Sequence, residues 1–290
     1  MQDITPLKEA LPYIRKFKDA LFVIKFGGEA MRTREQLDRL AEDIATLYTF
    51  GIKVIVVHGG GAQVSEMEKK TGVTSRMVGG RRVTDEGSLG VLKMVLSGTL
   101  NIDLVAALRA HGINAVGLSA ASGGLLQVKK RAPKKVSGGG EEVVDFGFVG
   151  DVERANPAVL TALLERDFLP VISPLSSDAE GNILNVNADT AACRIAGAMK
   201  ADKLLLLSDK LGVMTNVNDP TSLISTLTAA QSRQAIAEGI ISGGMIPKVE
   251  DALDALSAGV KQVHILSAME PHTLLIEVFT ESGCGTMVLP

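Results

Sequence analysis

The sequence predicts an α/β fold: a doubly wound, largely parallel central sheet sandwiched between helices. Three observations predict it. Short apolar runs without polar alternation recur along the chain, as strands buried on both faces require. Segments of helical period separate them, the pattern of βαβ units. Glycine clusters close the first two runs, at the strand edge where open α/β sheets bind ligands.

Residues 1–20 form a separate helical arm. Thr5-Pro6 suits a helix start, with Thr as N-cap and Pro in the first helical position. Leu7, Leu11 and Ile14 lie near one face, and Pro12 would kink the helix. The segment reads either as a frayed terminal helix or as an arm packing on another subunit. LFVIKF (21–26) is the first buried strand, bounded by Gly27-Gly28. Leu37, Leu40, Ala41, Ile44, Leu47 and Tyr48 then follow helical spacing. KVIVVH (53–58) is the second strand, ended by Gly59-Gly60-Gly61, and a helix follows from about Gln63. Leu89 to Leu108 carries a long helical pattern. FLPVIS (168–173), KLLLLS (203–208) and QVHILS (262–267) are further strands. Between them GGRRVTD, LLQVKKRAP and VVDFGFVGDV read as hairpins on the rim of the sheet. Lys134 to Glu142 reads as a mobile loop tip.

Composition excludes several classes. With 290 residues, 46% of them apolar, the chain can bury a large core. A net charge of −3 and the absence of Trp argue against nucleic-acid binding. Cys193 and Cys284 form neither a disulfide framework nor a metal-like pair. The first twenty residues hold no apolar signal core, and the longest uncharged stretch, Ala110 to Val128, is broken by Gly, Ser and Asn. The expectation is a soluble, cytoplasmic protein. There is no GxxxxGK[ST], HExxH or GxSxG motif, and the four histidines are scattered.

What remains is two glycine turns, two lysines and an Asn/Asp cluster. Glycines at a strand end let backbone N–H groups approach a phosphate, aided by the helix terminus that follows. Lys25 is the one charge in an apolar strand and needs an anion, either a structural partner or a ligand. Arg82, in GRRVTD, can hold a carboxylate bidentately, or form a surface ion pair. In NVNAD, strand alternation would set Asn185, Asn187 and Asp189 on one side, with a helix N-cap as the simpler role for Asp189. Lys248 stands just inside a helix start, an unfavourable place without an anionic partner.

The pieces IKFGG, VVHGGG, GRRVTD, VGLS, NVNADTAA, LLLLSD, GGMIPKVE and GTMV occur in this order. The set resembles the amino-acid kinase superfamily and, within it, the acetylglutamate kinases, from about Ala10 to Val288. The resemblance implies a kinase domain over 21–290, with an N-terminal lobe (about 21–180) for the amino acid and a C-terminal lobe (about 181–290) for ATP. It implies that Lys25 and Lys248 neutralise the transferring phosphoryl group and that Asp189 orients both. Gly27 and Gly28 would donate to phosphoryl oxygens. Gly60 and Gly61 would contact the substrate, N-acetyl-L-glutamate, and Arg82 and Asn185 would hold its α-carboxylate. Asp209, Lys210, Leu211, Gly212, Val213 and Met214, with Ile240, Ile241 and Ser242, would form the nucleotide pocket. ATP with Mg²⁺ is the implied donor, and no protein residue is assigned to a metal.

The N-terminal segment and the run from His272 to Val288 are similar to arginine-sensitive members. That likeness implies a hexamer, a trimer of dimers, inhibited by L-arginine, with Glu281 and Gly283 at the inhibitor site. Three places depart from the pattern: Glu29, expected to point away from the phosphate, the run Ser119 to Gly123, and Asp209 to Gly212. The rival readings are a kinase of a related acylated amino acid, such as N-acetyl-aminoadipate, and a non-catalytic amino-acid sensor.

Overall fold

The computed structural model describes residues 5–79, 81–134 and 143–290; the loop tip expected at 134–142 lies, beyond Lys134, outside them. The first elements are α1 (Thr5–Phe17), β1 (Leu21–Phe26), α2 (Arg34–Thr49), β2 (Lys53–His58), α3 (Gly61–Thr71), β3 (Met77–Val78) and β4 (Arg81–Arg82). Then come α4 (Glu86–Leu92), α5 (Asn101–Ala110), β5 (Ala115–Ser119), β6 (Leu126–Lys130), β7 (Gly150–Ala155), α6 (Ala158–Leu164), β8 (Leu169–Ser173), β9 (Leu175–Ser177) and β10 (Ile183–Asn185). The last are α7 (Ala188–Met199), β11 (Lys203–Ser208), β12 (Thr226–Thr228), α8 (Ala229–Ala237), α9 (Met245–Ser257), β13 (Gln262–Ser267), α10 (Thr273–Phe279) and β14 (Thr286–Leu289).

Eight strands form the main sheet in the order β12-β14-β13-β11-β1-β2-β8-β5. Every pairing is parallel except β13 with β14. β1 is central, with β2 on one side and β11 on the other, so the chain reverses its direction of winding beside β1. Such a switch point leaves a crevice at the carboxyl ends of the strands. Alternation along β1 sends Phe22, Ile24 and Phe26 into one core, with α2 and α5. Val23 enters the opposite core, with α7 and α9. Lys25 shares the parity of Val23 and therefore faces α7 and α9.

A four-stranded sheet, β10-β9-β6-β7, and the β3–β4 hairpin build the rim predicted from the charged, β-branched segments. A small core of Val78, Val144, Phe146 and Val149 holds the hairpin. The long helical pattern is one run from Glu86 to Ala110 whose middle, Lys93–Leu100, is π-helical. Asp85 caps it, accepting a 2.7 Å bond from Ser88 N–H. By length and composition this run could cross a bilayer, but half of its most apolar window is buried inside the fold.

α1 runs helically from Thr5 to Phe17 with Pro12 inside it. Its end is tied to the fold: Phe17 is buried and meets Phe22 edge-on at 5.4 Å. Leu11 remains 39% exposed.

Candidate active site

A cavity of about 630 Å³ opens at the switch point. It runs from Gly60 and Arg82, past Asn185 and Asp189, to Lys248 and Asp251. Asp189 and Lys248 line it. Lys25 Nζ lies 2.8 Å from Asp189 Oδ1, and Lys248 Nζ donates to Asp189 Oδ2 at 2.9 Å. Three separate elements, β1, α7 and α9, supply these groups. Asp189 is the second residue of α7, where the helix terminus favours a carboxylate. The cap itself is Asn187, whose side chain accepts from Thr190 N–H. The simpler role proposed for Asp189 therefore belongs to Asn187, and the expected one-sided strand ends at Asn185. Burial alone would raise Asp189; the charges of Lys25 and Lys248 and their hydrogen bonds outweigh it and hold the carboxyl at about 2. Within this triad two ammonium groups share one carboxylate, which leaves a surplus positive charge.

Asp251, one turn beyond Lys248 on α9, accepts from Thr190 Oγ1 at 3.1 Å. Burial, and then the carboxylates of Asp189 and Asp254, push it up to about 6 despite that bond and the charge of Lys248.

The two glycine turns touch. Gly59 N–H donates to Phe26 O at 2.8 Å. A Cβ on Gly28 would fall 3.0 Å from the Cα of Gly60 and 2.0 Å from Gln63 Oε1, so a side chain there has no room. Gln63 Nε2 donates to Gly28 O at 2.7 Å and ties α3 to the first turn. The Glu29 carboxylate folds back against Gly27, where an added Cβ would overlap it, and Glu29 does not line the cavity. Glu29 sits in the first turn of a 3₁₀ segment, Gly28–Met31, whose positive end attracts it.

Arg82 is less free than a ligand-holding arginine in isolation. Its Nη1 donates to the Glu68 carboxylate and to Ser75 Oγ, and its Nη2 to Ser65 Oγ at 2.8 Å. Glu68 is only 5% exposed and belongs to α3, so Arg82 forms a buried pair, not a surface one. Asn185 Nδ2 lies 3.4 Å from Thr84 Oγ1, and both Asn185 and Arg82 line the cavity.

The expected nucleotide residues lie beyond the lining of this cavity. Asp209 to Met214 follow β11, and Ile240 to Ser242 precede α9. Val213 and Ile241 enter the same core, which brings the two segments to one side of the sheet. Gly212 packs against β14, since a Cβ there would meet Thr286 Oγ1 at 2.6 Å. Asp209 and Lys210 are exposed and pair with each other at 3.1 Å.

Glu281 is exposed, and among the described residues it makes no polar contact. The buried carboxylate beneath that loop is Glu277 of α10, which accepts from Cys284 N–H at 2.7 Å and Gly285 N–H at 3.0 Å. Gly283 covers it with φ +58°. Glu277 also meets His264 Nδ1 at 2.6 Å, and His264 Nε2 meets Lys203 Nζ at 2.8 Å, under the ring of Phe17. The sequence reading missed this cluster because its members are far apart in the chain.

A central parallel sheet with two facing lysines and two glycine turns at its switch point defines a phosphoryl-transferring α/β protein. The model described as Amino acid kinase family matches residues 20–267, and the chain belongs to that family. It is 45% identical over 292 residues to an acetylglutamate kinase of Methanococcus maripaludis, covering 100% of this chain and 99% of that protein. It is 46% identical over 283 residues to an acetylglutamate kinase of Methanocaldococcus jannaschii, covering 97% and 94%. Among solved structures it is similar to an N-acetylglutamate synthase from Neisseria gonorrhoeae complexed with coenzyme A and N-acetyl-glutamate, with a TM-score of 0.84 and 27% identity. That likeness covers all of this chain, which spans 64% of the synthase. A carbamate kinase from Giardia lamblia bound to AMP-PNP shares the fold at 19% identity and a TM-score of 0.68, covering 93% of this chain and 98% of the other.

Proposed function

We propose that the protein transfers the γ-phosphoryl group of ATP to the side-chain carboxylate of N-acetyl-L-glutamate, forming N-acetyl-L-glutamyl 5-phosphate in arginine biosynthesis. The observation that carries this reading is Asp189 bridging Lys25 and Lys248 beside two glycine turns. The full-length identity to acetylglutamate kinases supports the acceptor. A carboxylate nucleophile is already ionised at pH 7, so the reaction needs no general base. The obstacle is repulsion between anions. Lys25 and Lys248 neutralise charge on the transferring group, Asp189 keeps both aimed, and glycine N–H groups receive the equatorial oxygens. Asn185 and Arg82 orient the acceptor's α-carboxylate. Asp189 is committed to its lysines and Asp251 to Thr190, so Mg²⁺ would be held chiefly by the nucleotide's own phosphates.

The test is ADP release by the purified protein with Mg-ATP and N-acetylglutamate, beside aspartate, glutamate, carbamate and N-acetyl-aminoadipate. Turnover should be fastest with N-acetylglutamate. Preference for another acceptor would replace the substrate, and binding without turnover would favour a sensor.

Arginine inhibition of a hexamer belongs to the same proposal. The exposed Leu11 of α1, and Met94 and Ile102 on the long helix, offer apolar faces to neighbouring subunits. The inhibitor's guanidinium would find its carboxylate in the exposed Glu281, in the loop that carries Gly283. A cytoplasmic location accompanies this reading. Added L-arginine should lower activity. Deleting residues 1–12, which leaves Phe17 over Lys203, should abolish the response and shrink the particle on light scattering. An intact enzyme indifferent to millimolar arginine overturns the regulatory part alone.

A further inference from the structure

We propose that His58 and Asn101 are positioning residues whose side chains fix the Gly59–Gly60 peptide and thereby aim the Gly60 N–H into the transfer site. The inference rests on the kinase reading and adds residues that do not touch either substrate.

His58 ends β2 and is wholly buried. Its Nδ1 lies 2.9 Å from Gly59 O, and its Nε2 lies 3.1 Å from Asn101 Nδ2. Asn101 Nδ2 also donates to Val171 O on β8 at 3.1 Å. That second bond requires an NH₂ at this position, so Asn101 donates to Nε2. The ring proton therefore sits on Nδ1 and is given to Gly59 O. Burial holds His58 down at about 4, against the bond to Gly59, so the ring stays neutral. With Nε2 accepting and Nδ1 donating, neither nitrogen is left to move a proton in the reaction.

The consequence follows from peptide geometry. Gly59 C=O and Gly60 N–H belong to one planar trans unit and point in opposite directions. Fixing the oxygen with His58 fixes the N–H as well. Gly59 N–H is itself held by Phe26 O. Gly60 is pressed against the π-helical segment, since a Cβ there would lie 2.3 Å from Leu100 Cδ1 and 2.6 Å from Leu96 Cδ2. Asn101 is the residue that follows this segment. π-Helical turns inside α-helices recur at functional sites. Here the turn brings two leucines and Asn101 to the same glycine loop. Gly60 in turn abuts Gly28, so the directed N–H belongs to the end of the cavity where the phosphoryl group would pass.

The test uses His58→Asn, whose amide can replace the Nδ1 donor, and His58→Gln, whose amide reaches only the Nε2 position. Asn101→Leu removes the donor to Nε2. With rates corrected for the folded fraction, His58→Gln should lower kcat by on the order of 10²-fold, the effect of losing one preorganised donor, with little change in either KM. His58→Asn should recover most of that loss, and Asn101→Leu should fall between. Selectively labelled NMR of the full chain gives a readout independent of turnover. The wild-type ring should show the Nδ1–H tautomer, and the Gly60 amide resonance should move in His58→Gln but not in His58→Asn. Equal kcat losses in the two His58 variants, or an Nε2–H tautomer, would overturn the inference. A wild-type protein without kinase activity but with the expected NMR pattern would retire the kinase reading and leave the peptide clamp standing.

Discussion

The two ends of the cavity handle buried charge in opposite ways. At the end proposed for transfer two lysines share one carboxylate, Asp189. At the end proposed for the acceptor Arg82 has a buried carboxylate of its own, Glu68, with two serines completing its bonds. The first arrangement keeps a surplus positive charge and the second cancels it. A surplus buried charge is costly unless an anion arrives to meet it, which suits a site that must stabilise charge appearing on a phosphoryl group. A cancelled pair attracts weakly at a distance and selects by geometry, which suits recognition of one particular carboxylate.

The largest effects should come from the transfer end. Lys25→Ala and Lys248→Ala should each lower kcat by on the order of 10²–10³-fold, with much smaller changes in KM. Steady-state kinetics for both substrates would show it. Near-normal kcat in either variant would mean that the surplus charge is not used in the transition state.

Smaller effects are expected at the acceptor end. Arg82→Lys should raise KM for N-acetylglutamate by roughly tenfold and leave that for ATP nearly unchanged, because an ammonium cannot reproduce the fork. Equal losses for both substrates would indicate a folding defect. Glu68→Gln sharpens the contrast. If Glu68 competes with the acceptor for Arg82, its removal should lower KM for the acceptor while thermal stability falls by about 3 kcal/mol, the cost of an uncompensated buried charge. A rise in KM would make Glu68 a support for Arg82 and not a competitor.

The charged groups around Asp189 were more legible in the sequence than those around Arg82, for a physical reason. Lys25 stands alone in an apolar strand, so its need for an anion is visible in six residues. Lys248 is similarly conspicuous at a helix start. Glu68 looks like any charge on an amphipathic helix, and its burial depends on Ser75 and Arg82 folding over it. His58 was one of four scattered histidines because Asn101 is 43 positions away. The strands LFVIKF, KVIVVH, FLPVIS, KLLLLS and QVHILS were legible from their apolar runs. Short β12 and β14 were not, since three or four residues carry no period. The π-helical stretch has the same apolar spacing as its α-helical flanks, so nothing local announces it.

Asp251 sets the smallest effect and limits where the contrast between the two ends applies. Its carboxyl is pushed up to about 6 by burial, with Asp189 and Asp254 adding to the rise and Thr190 and Lys248 opposing it. Cys193, its other titratable neighbour, is buried and stays neutral. A raised carboxyl pKa means the folded state holds a proton that the unfolded chain has released. The stability this provides is present below about pH 4 and is lost as pH rises through about 6. Above that the ionised carboxylate costs roughly 2 kcal/mol after allowance for its partial exposure. Its charge also offsets the surplus at the lysines, so the transfer end approaches the cancelled state of the acceptor end. Asp251→Asn keeps an acceptor for Thr190 Oγ1 and carries no charge at any pH. The variant should therefore melt a few degrees above wild type at pH 8, with the difference shrinking toward zero near pH 4. A gain of equal size at both pH values would mean that packing, and not ionisation of Asp251, is responsible, and that the surplus charge at the lysines survives across the whole range.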